Sequence, residues 1–351
     1  MTLEDLGFNE WHKDSIKNLD ADQAKLARIV AVDRDLYVIA GPVGTMRAEC
    51  TGKLLYGAES PEEMPCVGDW GLVDYLDNDS HAVIFDLLPR KTLLRRRAVG
   101  GRSSYQPIAA NVDVAFIVQS CDVDFNLNRL DRYIVASADG GVTPKLLLTK
   151  RDLIAEAALE RIIADVKADH AIDVTAISNV TGSGFSEFLD VLQQGLTYCL
   201  VGSSGVGKTS LLNRLVGAGE FAVGSVNEKD GKGRHTTTRR QLIALDNGAL
   251  FIDTPGMREF GMMAFEAGIE ESFQDIVAAA KNCRFADCTH TQEEGCAVLA
   301  MLEAGRLSRE KYDSYMKLQK ESEHYEMTYL EKRKKDKAFG KMLKNYHKFQ
   351  N

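Results

Sequence analysis

The sequence predicts a multidomain α/β protein in three parts. Residues 1–98 form an N-terminal helix and β-barrel, 99–265 a domain with a mainly parallel sheet, and 266–351 a helical metal-binding domain. Three observations carry this expectation. Short β-rich runs punctuated by Gly, Pro, Asn and Asp fill the stretch from Arg28 to about Leu94. Continuous apolar runs alternate with helical patterns from about Ile108 to Gly261, as in a parallel sheet covered on both faces. Beyond Gly261 the pattern is largely helical, interrupted by clustered cysteines and a histidine.

A chain of 351 residues is long enough for two or three packed cores. Its 44% hydrophobic and 27% charged residues match an ordinary globular protein, which excludes a disordered or fibrous class. No apolar run reaches the roughly 18–20 residues that span a bilayer. The start, MTLEDLGFNEWHKD, is acidic and amphipathic and lacks a signal peptide's basic-then-apolar order. A cytoplasmic monomer without membrane contact is expected. The net charge of −8 gives no global case for nucleic acid, but residues 281–351 carry 15 Lys and Arg against 11 Asp and Glu. That basic stretch on an acidic protein marks the C-terminal fifth as a distinct surface.

In chain order, residues 1–30 show an amphipathic helical pattern. RIVAVDRDLYVIAG, GTMRAECTGKLLYG, CVGDWGLVDYL and HAVIFDLL supply five or so strands, which fits an OB-type barrel; pattern alone leaves another small barrel open. Leu93–Gln106 reads as a polar, Gly- and Ser-bearing linker. VDVAFIVQ, KLLLTK, DVTAIS, LTYCLVG, RQLIAL and ALFIDT then read as strands, with helices over Leu127–Ala138, Asp152–Lys167 and Gly207–Val216.

Gly202-Ser203-Ser204-Gly205-Val206-Gly207-Lys208-Thr209 fits G-x-x-x-x-G-K-[ST], follows the strand LTYCLV and opens a helix that continues with Ser210. Its glycines let backbone N–H groups turn inward around phosphates, Lys208 reaches the β- and γ-phosphates, and Thr209 ligates Mg²⁺. Asp253-Thr254-Pro255-Gly256 follows the apolar run ALFI, so Asp253 stands at a strand end, suited to the Mg²⁺ shell, with the Gly256 amide near the γ-phosphate. Thr149-Lys150-Arg151-Asp152 follows the strand KLLL and matches the guanine-reading N-K-x-D of GTPases except at its first residue. An Asp there accepts from guanine N1–H and the exocyclic amine, which adenine does not offer in that arrangement. Lys150 packs along the base, and Ser178-Asn179 stands where backbone amides meet the base carbonyl. Thr149 lacks the two-sided bonding of an Asn amide, so weaker base affinity is expected.

The base motif and final loop precede the phosphate loop and D-x-x-G, whereas the usual order is the reverse. Each motif stays at a strand end, so the same sheet forms with permuted connections. The segment after Gly256, which responds to the γ-phosphate in GTPases, runs directly into the C-terminal domain, and hydrolysis is expected to reposition that domain. Cys283, Cys288, His290 and Cys296 supply four soft or borderline ligands, a closed set suited to structural Zn²⁺. Lys332–Lys337 and Lys341–Lys348, interleaved with Phe339, Tyr346 and Phe349, form a basic amphipathic tail that suits either RNA phosphates or solvent. Arg95-Arg96-Arg97 presents the same two options.

This permuted order, the segment Gly233-Arg234-His235-Thr236-Thr237-Thr238 and the Cys283-x4-Cys288-x-His290-x5-Cys296 spacing resemble the ribosome small-subunit-dependent GTPase A family, RsgA, over essentially the whole chain. The resemblance implies an OB-fold at the N-terminus. It also implies a GTPase that binds the small ribosomal subunit and its rRNA, is stimulated by it, and acts late in its maturation. One of Thr236–Thr238 closes on Mg²⁺ and the γ-phosphate, with Thr237 favoured. Met257 occupies the place where many GTPases carry a water-orienting Gln, so slow intrinsic hydrolysis is expected. His235 is the water-positioning candidate the family suggests. Gly205 stands where potassium-activated GTPases carry Asn, so no potassium requirement is expected. Two other readings stay open: an RNA-binding nucleotide-switch scaffold with little turnover, and a GTPase serving the large subunit or a tRNA pathway.

Overall fold

The computed structural model describes residues 1–17, 25–33, 36–76, 80–97, 105–122, 124–217, 240–253, 269 and 272–326. The chain divides into two compact units, Met1–Met262 and Met263–Asn351. Among the described residues no helix is long and apolar enough to cross a membrane.

In the first unit, α1 (Glu10–Ile16) starts at Asn9, whose side chain accepts from the His12 amide. The helical pattern over 1–30 is thus realised only in part, because the barrel's first strand already begins at Leu26. The barrel comprises β1 (Leu26–Asp33), β2 (Leu36–Gly41), β3 (Gly44–Cys50), β4 (Trp70–Leu76) and β5 (His81–Leu87). Neighbours run β1-β2-β3-β5-β4, and β4 pairs back with β1. Only the β3–β5 pair is parallel. The short helix α2 (Gly52–Gly57), capped by the Thr51 hydroxyl, lies in that crossover. This closed ring is the expected OB-like barrel; closure removes the unpaired edges a free sheet of this length would expose. Ile29, Ile39, Val73 and Ile84 fill its interior.

The stretch that reads as a linker is instead a hairpin, β6 (Leu93–Arg97) paired with β7 (Tyr105–Ala110). Two of its arginines have partners within the fold. Arg95 bridges Glu62 at 3.2 Å and Asp139 at 3.1 Å and lies over the Tyr105 ring. Arg96 bonds the Gln106 side-chain oxygen across the hairpin.

The α/β part runs β8 (Val114–Ser120), α3 (Leu127–Asp139), β9 (Thr143–Thr149), α4 (Glu156–Asp169), β10 (Val174–Ala176), α5 (Phe185–Asp190), β11 (Thr197–Val201), α6 (Lys208–Val216), β12 (Arg240–Ala244) and β13 (Leu250–Asp253). The strand order is β10-β9-β8-β11-β13-β12. All these pairs are parallel except β12–β13. Both faces are apolar: β8 and β11 are buried along their whole length, as the continuous hydrophobic runs require. On one face Phe116, Tyr198 and Phe251 stack across three neighbouring strands with centroids 5.6 and 5.4 Å apart.

β12 also pairs with β1, Ala31 opposite Gln241 and Val32 opposite Arg240. Barrel and nucleotide sheet are therefore one continuous sheet of 11 strands. Arg28 reinforces this seam. Its guanidinium is 1% exposed and donates to the carbonyls of Leu6, Gly68 and Asn111 and to Thr197 Oγ1. Those groups come from the N-terminal segment, the barrel, and the segments entering β8 and β11.

In the second unit, α7 (Gln274–Ala280), α8 (Ala297–Glu303) and α9 (Arg309–Glu326) surround a small core. Phe273 packs on Tyr315 with centroids 5.6 Å apart, and Ile276, Val298 and Leu318 are buried beside them.

Candidate nucleotide-binding site and metal cluster

The glycine-rich loop joins the end of β11 to the first turn of α6. Gly202 has φ +148°, and a Cβ there would lie 2.3 Å from Val118 O on the adjoining strand β8. Gly205 and Gly207 also have positive φ, +83° and +95°. Only glycine adopts this succession without strain, and it leads the chain into the N-terminus of α6, the end of a helix that favours an anion. Lys208 Nζ folds over the loop rim, donating to Gly202 O at 2.8 Å and Ser203 O at 2.6 Å. Thr209 and Ser210 are exposed at the first turn of α6. Asp253 ends β13, as its motif predicts. Burial raises its carboxyl above the usual range, opposed by the positive charge of Lys208.

Thr149, at the end of β9, is fully buried, and its hydroxyl lies 2.6 Å from Val206 O in the phosphate loop and 3.3 Å from Gln119 O. Base motif and phosphate loop are thus in direct contact. Lys150 takes the left-handed conformation, φ +59°, which carries the chain off the sheet into a turn where Asp152 is exposed. Ser178 is buried and accepts from the amides of Val180 and Thr181, so its hydroxyl shapes its own loop. Asn179 Nδ2 donates to Gly207 O at 3.2 Å, and the Asn179 carbonyl accepts from Arg214 of α6.

One residue of this site escapes the motif reading. Asp122, two residues past β8, accepts from Lys150 Nζ at 2.9 Å. Ser120 Oγ and the Asp124 amide fix the other oxygen of Asp122. The Lys150 hydrogen bond leads the causes that hold this carboxyl down at about 2. Next to it, Asp124 meets Ser203 of the phosphate loop at 3.4 Å. The available signal was a carboxylate just past a strand end, on the sheet edge that the base motif occupies. His235, Thr237 with its neighbours Thr236 and Thr238, Gly256 and Met257 lie outside the described residues, as does the basic tail.

In the second unit, the ligand atoms of Cys283, Cys288, His290 and Cys296 all lie within 4.8 Å of one another. Cys283 Sγ is 3.9 Å from Cys296 Sγ, and His290 Nδ1 is 3.6 and 3.4 Å from those two sulfurs. Ligands about 2.0–2.3 Å from a tetrahedral Zn²⁺ stand roughly 3.5–3.8 Å apart, so the set fits that ion. The left-handed backbone of His290 turns its ring toward the sulfurs. Tyr312 holds the turn, donating to the His290 carbonyl at 2.6 Å. The Ala297 and Leu299 amides donate to Cys283 and Cys296, which offsets thiolate charge at the start of α8.

A parallel sheet with one antiparallel edge, a glycine loop opening α6 and a base motif arriving from β9 before that loop define a circularly permuted P-loop GTPase. A family model described as RsgA GTPase matches residues 87–263. The small ribosomal subunit biogenesis GTPase RsgA 2 of Lactiplantibacillus plantarum is 43% identical over 318 residues, covering 90% of this chain and 89% of that protein. The small ribosomal subunit biogenesis GTPase RsgA of Opitutus terrae is 38% identical over 339 residues, covering 92% and 90%. The crystal structure of YjeQ from Thermotoga maritima matches with a TM-score of 0.63 and 24% identity over 85% of this chain and 98% of that one. YloQ, described as a circularly permuted GTPase, matches with a TM-score of 0.60 and 24% identity over 87% and 96%. The chain belongs to the RsgA GTPase family.

Proposed function

We propose that this protein hydrolyses GTP to GDP and phosphate and couples that step to late maturation of the small ribosomal subunit, in the cytoplasm. The observation that carries the reading is the hydrogen bond from Thr149 to Val206 O, which joins a guanine-selective motif to a phosphate loop. Asp152 selects guanine, the loop amides and Lys208 hold the β- and γ-phosphates, and Ser178 shapes the last base loop. Thr209 and Asp253 would hold Mg²⁺, which when bound neutralises charge on the phosphate oxygens. Thr237 closes over the γ-phosphate, and His235 orients the attacking water in place of the Gln that Met257 replaces. Cys283, Cys288, His290 and Cys296 would hold one structural Zn²⁺, which ties the loop before α8 to its own helix. The relatives are named for small-subunit biogenesis, and this supports that subunit and its rRNA as the partner.

Phosphate release from GTP by the purified protein, measured alone, with small subunits and with large subunits, tests the reading. Stimulation by small subunits alone, lost in His235→Ala with GDP binding intact, is the expected result. Stimulation by large subunits only would overturn the partner. Nucleotide binding without turnover in any mixture would favour the switch-scaffold reading, which Met257 supports.

A further inference from the structure

The base motif of this chain begins with Thr149, so the carboxamide that GTPases place there is missing from that position. A hydroxyl carries one proton. At 2.6 Å from Val206 O, the Thr149 proton is committed to the phosphate loop. Guanine, however, presents two acceptors, O6 and N7, on the edge beside the one Asp152 reads. A backbone amide of the last base loop answers O6. The Thr149 side chain has no proton left for N7.

The geometry points to Asn179 as the residue that replaces the missing carboxamide, bracing the phosphate loop with one N–H of Nδ2 and donating the other to guanine N7. Two observations support it, and it rests on the guanine-nucleotide reading of this site. First, Asn179 Nδ2 lies 3.2 Å from Gly207 O, one residue beyond the carbonyl that Thr149 holds. The two side chains grip consecutive carbonyls of the loop, and between them do the work of one asparagine. Second, Gly207 is glycine where a Cβ would lie 3.0 Å from Asn179 Nδ2 and 4.0 Å from Thr149 Oγ1, so the carboxamide is seated directly against the loop. The Gly207 carbonyl fixes which end of the amide is nitrogen, because the flipped form would set two oxygens against each other. Base recognition is thereby divided. Thr149 holds the loop, Asn179 holds the loop and N7, and Asp152 reads N1 and the exocyclic amine.

Competition of GDP and 7-deaza-GDP against a fluorescent GDP analogue tests this, because 7-deazaguanine differs only in lacking the N7 acceptor. The wild-type chain is expected to bind 7-deaza-GDP roughly 5- to 10-fold more weakly than GDP, the scale of one neutral hydrogen bond. Asn179→Ala should bind GDP more weakly and no longer distinguish the two. Adding Thr149→Asn to Asn179→Ala should restore the discrimination, which also shows that the loop still folds. Equal penalties on both nucleotides in Asn179→Ala, with discrimination retained, would reduce Asn179 to a structural brace and overturn the inference. So would a wild type that binds both equally. Failure of the wild type to bind GDP at all would instead defeat the nucleotide assignment on which this rests.

Discussion

Lys150, proposed above to pack along the base, has its ammonium already held by Asp122 at 2.9 Å. A long, flexible side chain loses rotamer freedom when it becomes a pocket wall, and fixing it beforehand removes that cost from binding. Asp122→Asn is expected to weaken GDP and GTP binding several-fold with little change in melting temperature, since the pair is partly exposed and surface pairs contribute little to folding. Equilibrium titration beside a thermal melt checks both halves. The pH dependence follows from the sign of the shift. The folded carboxyl is lowered to about 2 from its ordinary 3.8, so the pair's contribution is complete above about 3.8 and is lost as pH falls through about 2. Nucleotide affinity should therefore show no Asp122-dependent change between pH 8 and about 5. A step in that range that vanishes in Asp122→Asn would contradict the assignment.

The phosphate loop works as an element because two parallel strands hold its entry. Gly202 sits where β11 leaves the sheet, and its backbone passes so close to β8 that a side chain would meet Val118 O at 2.3 Å. Gly202→Ala adds a left-handed strain of order 1–3 kcal/mol and forces the two strands apart. The expected outcome is loss of detectable GDP binding with a Tm lowered by several degrees, read by calorimetry with and without nucleotide. The metal cluster behaves differently. Its four ligands close a loop between short helices that bury few apolar side chains, so removal of the ion should melt helical signal from the second unit. Chelation is expected to lower far-ultraviolet helicity while GDP binding persists, because every residue proposed above to contact phosphate or base belongs to the first unit.

Across the first unit, the barrel is built into the nucleotide sheet. β1 pairs with β12, and the Arg28 guanidinium, pushed down to about 10 by burial yet still charged at neutral pH, bonds groups of four separate segments. Arg28→Met leaves buried carbonyls without a donor, each at about 1–3 kcal/mol, so a loss of at least about 3 kcal/mol is expected in urea unfolding. Arg28→Lys should fare little better, since a compact ammonium does not span acceptors that a planar fork reaches. Recovery of full stability in the lysine variant would show that charge alone matters at the seam.

The sequence by itself determined what contiguous residues can encode. The phosphate loop needs its glycines, lysine and threonine in unbroken order. D-x-x-G and T-K-x-D need a strand immediately before them, and the four residues suited to hold zinc lie within one short loop. The permuted order was legible for the same reason, since motif order is a property of the chain. The β-rich texture after Arg28 similarly gave the barrel, because a closed sheet of short strands leaves that pattern locally. Tertiary structure alone decided whatever depends on residues far apart in the chain. The apparent linker at 93–106 is a paired hairpin because Glu62 and Asp139 lie where Arg95 can reach them. Asp122 meets Lys150, Thr149 meets Val206 and Asn179 meets Gly207 because parallel strands bring their C-terminal ends to one edge of the sheet, so the threonine of the base motif is explained only by its neighbours in space. A hydrogen bond spanning 57 residues leaves no periodicity and no spacing rule in a sequence; only the sheet order puts its donor and acceptor in reach.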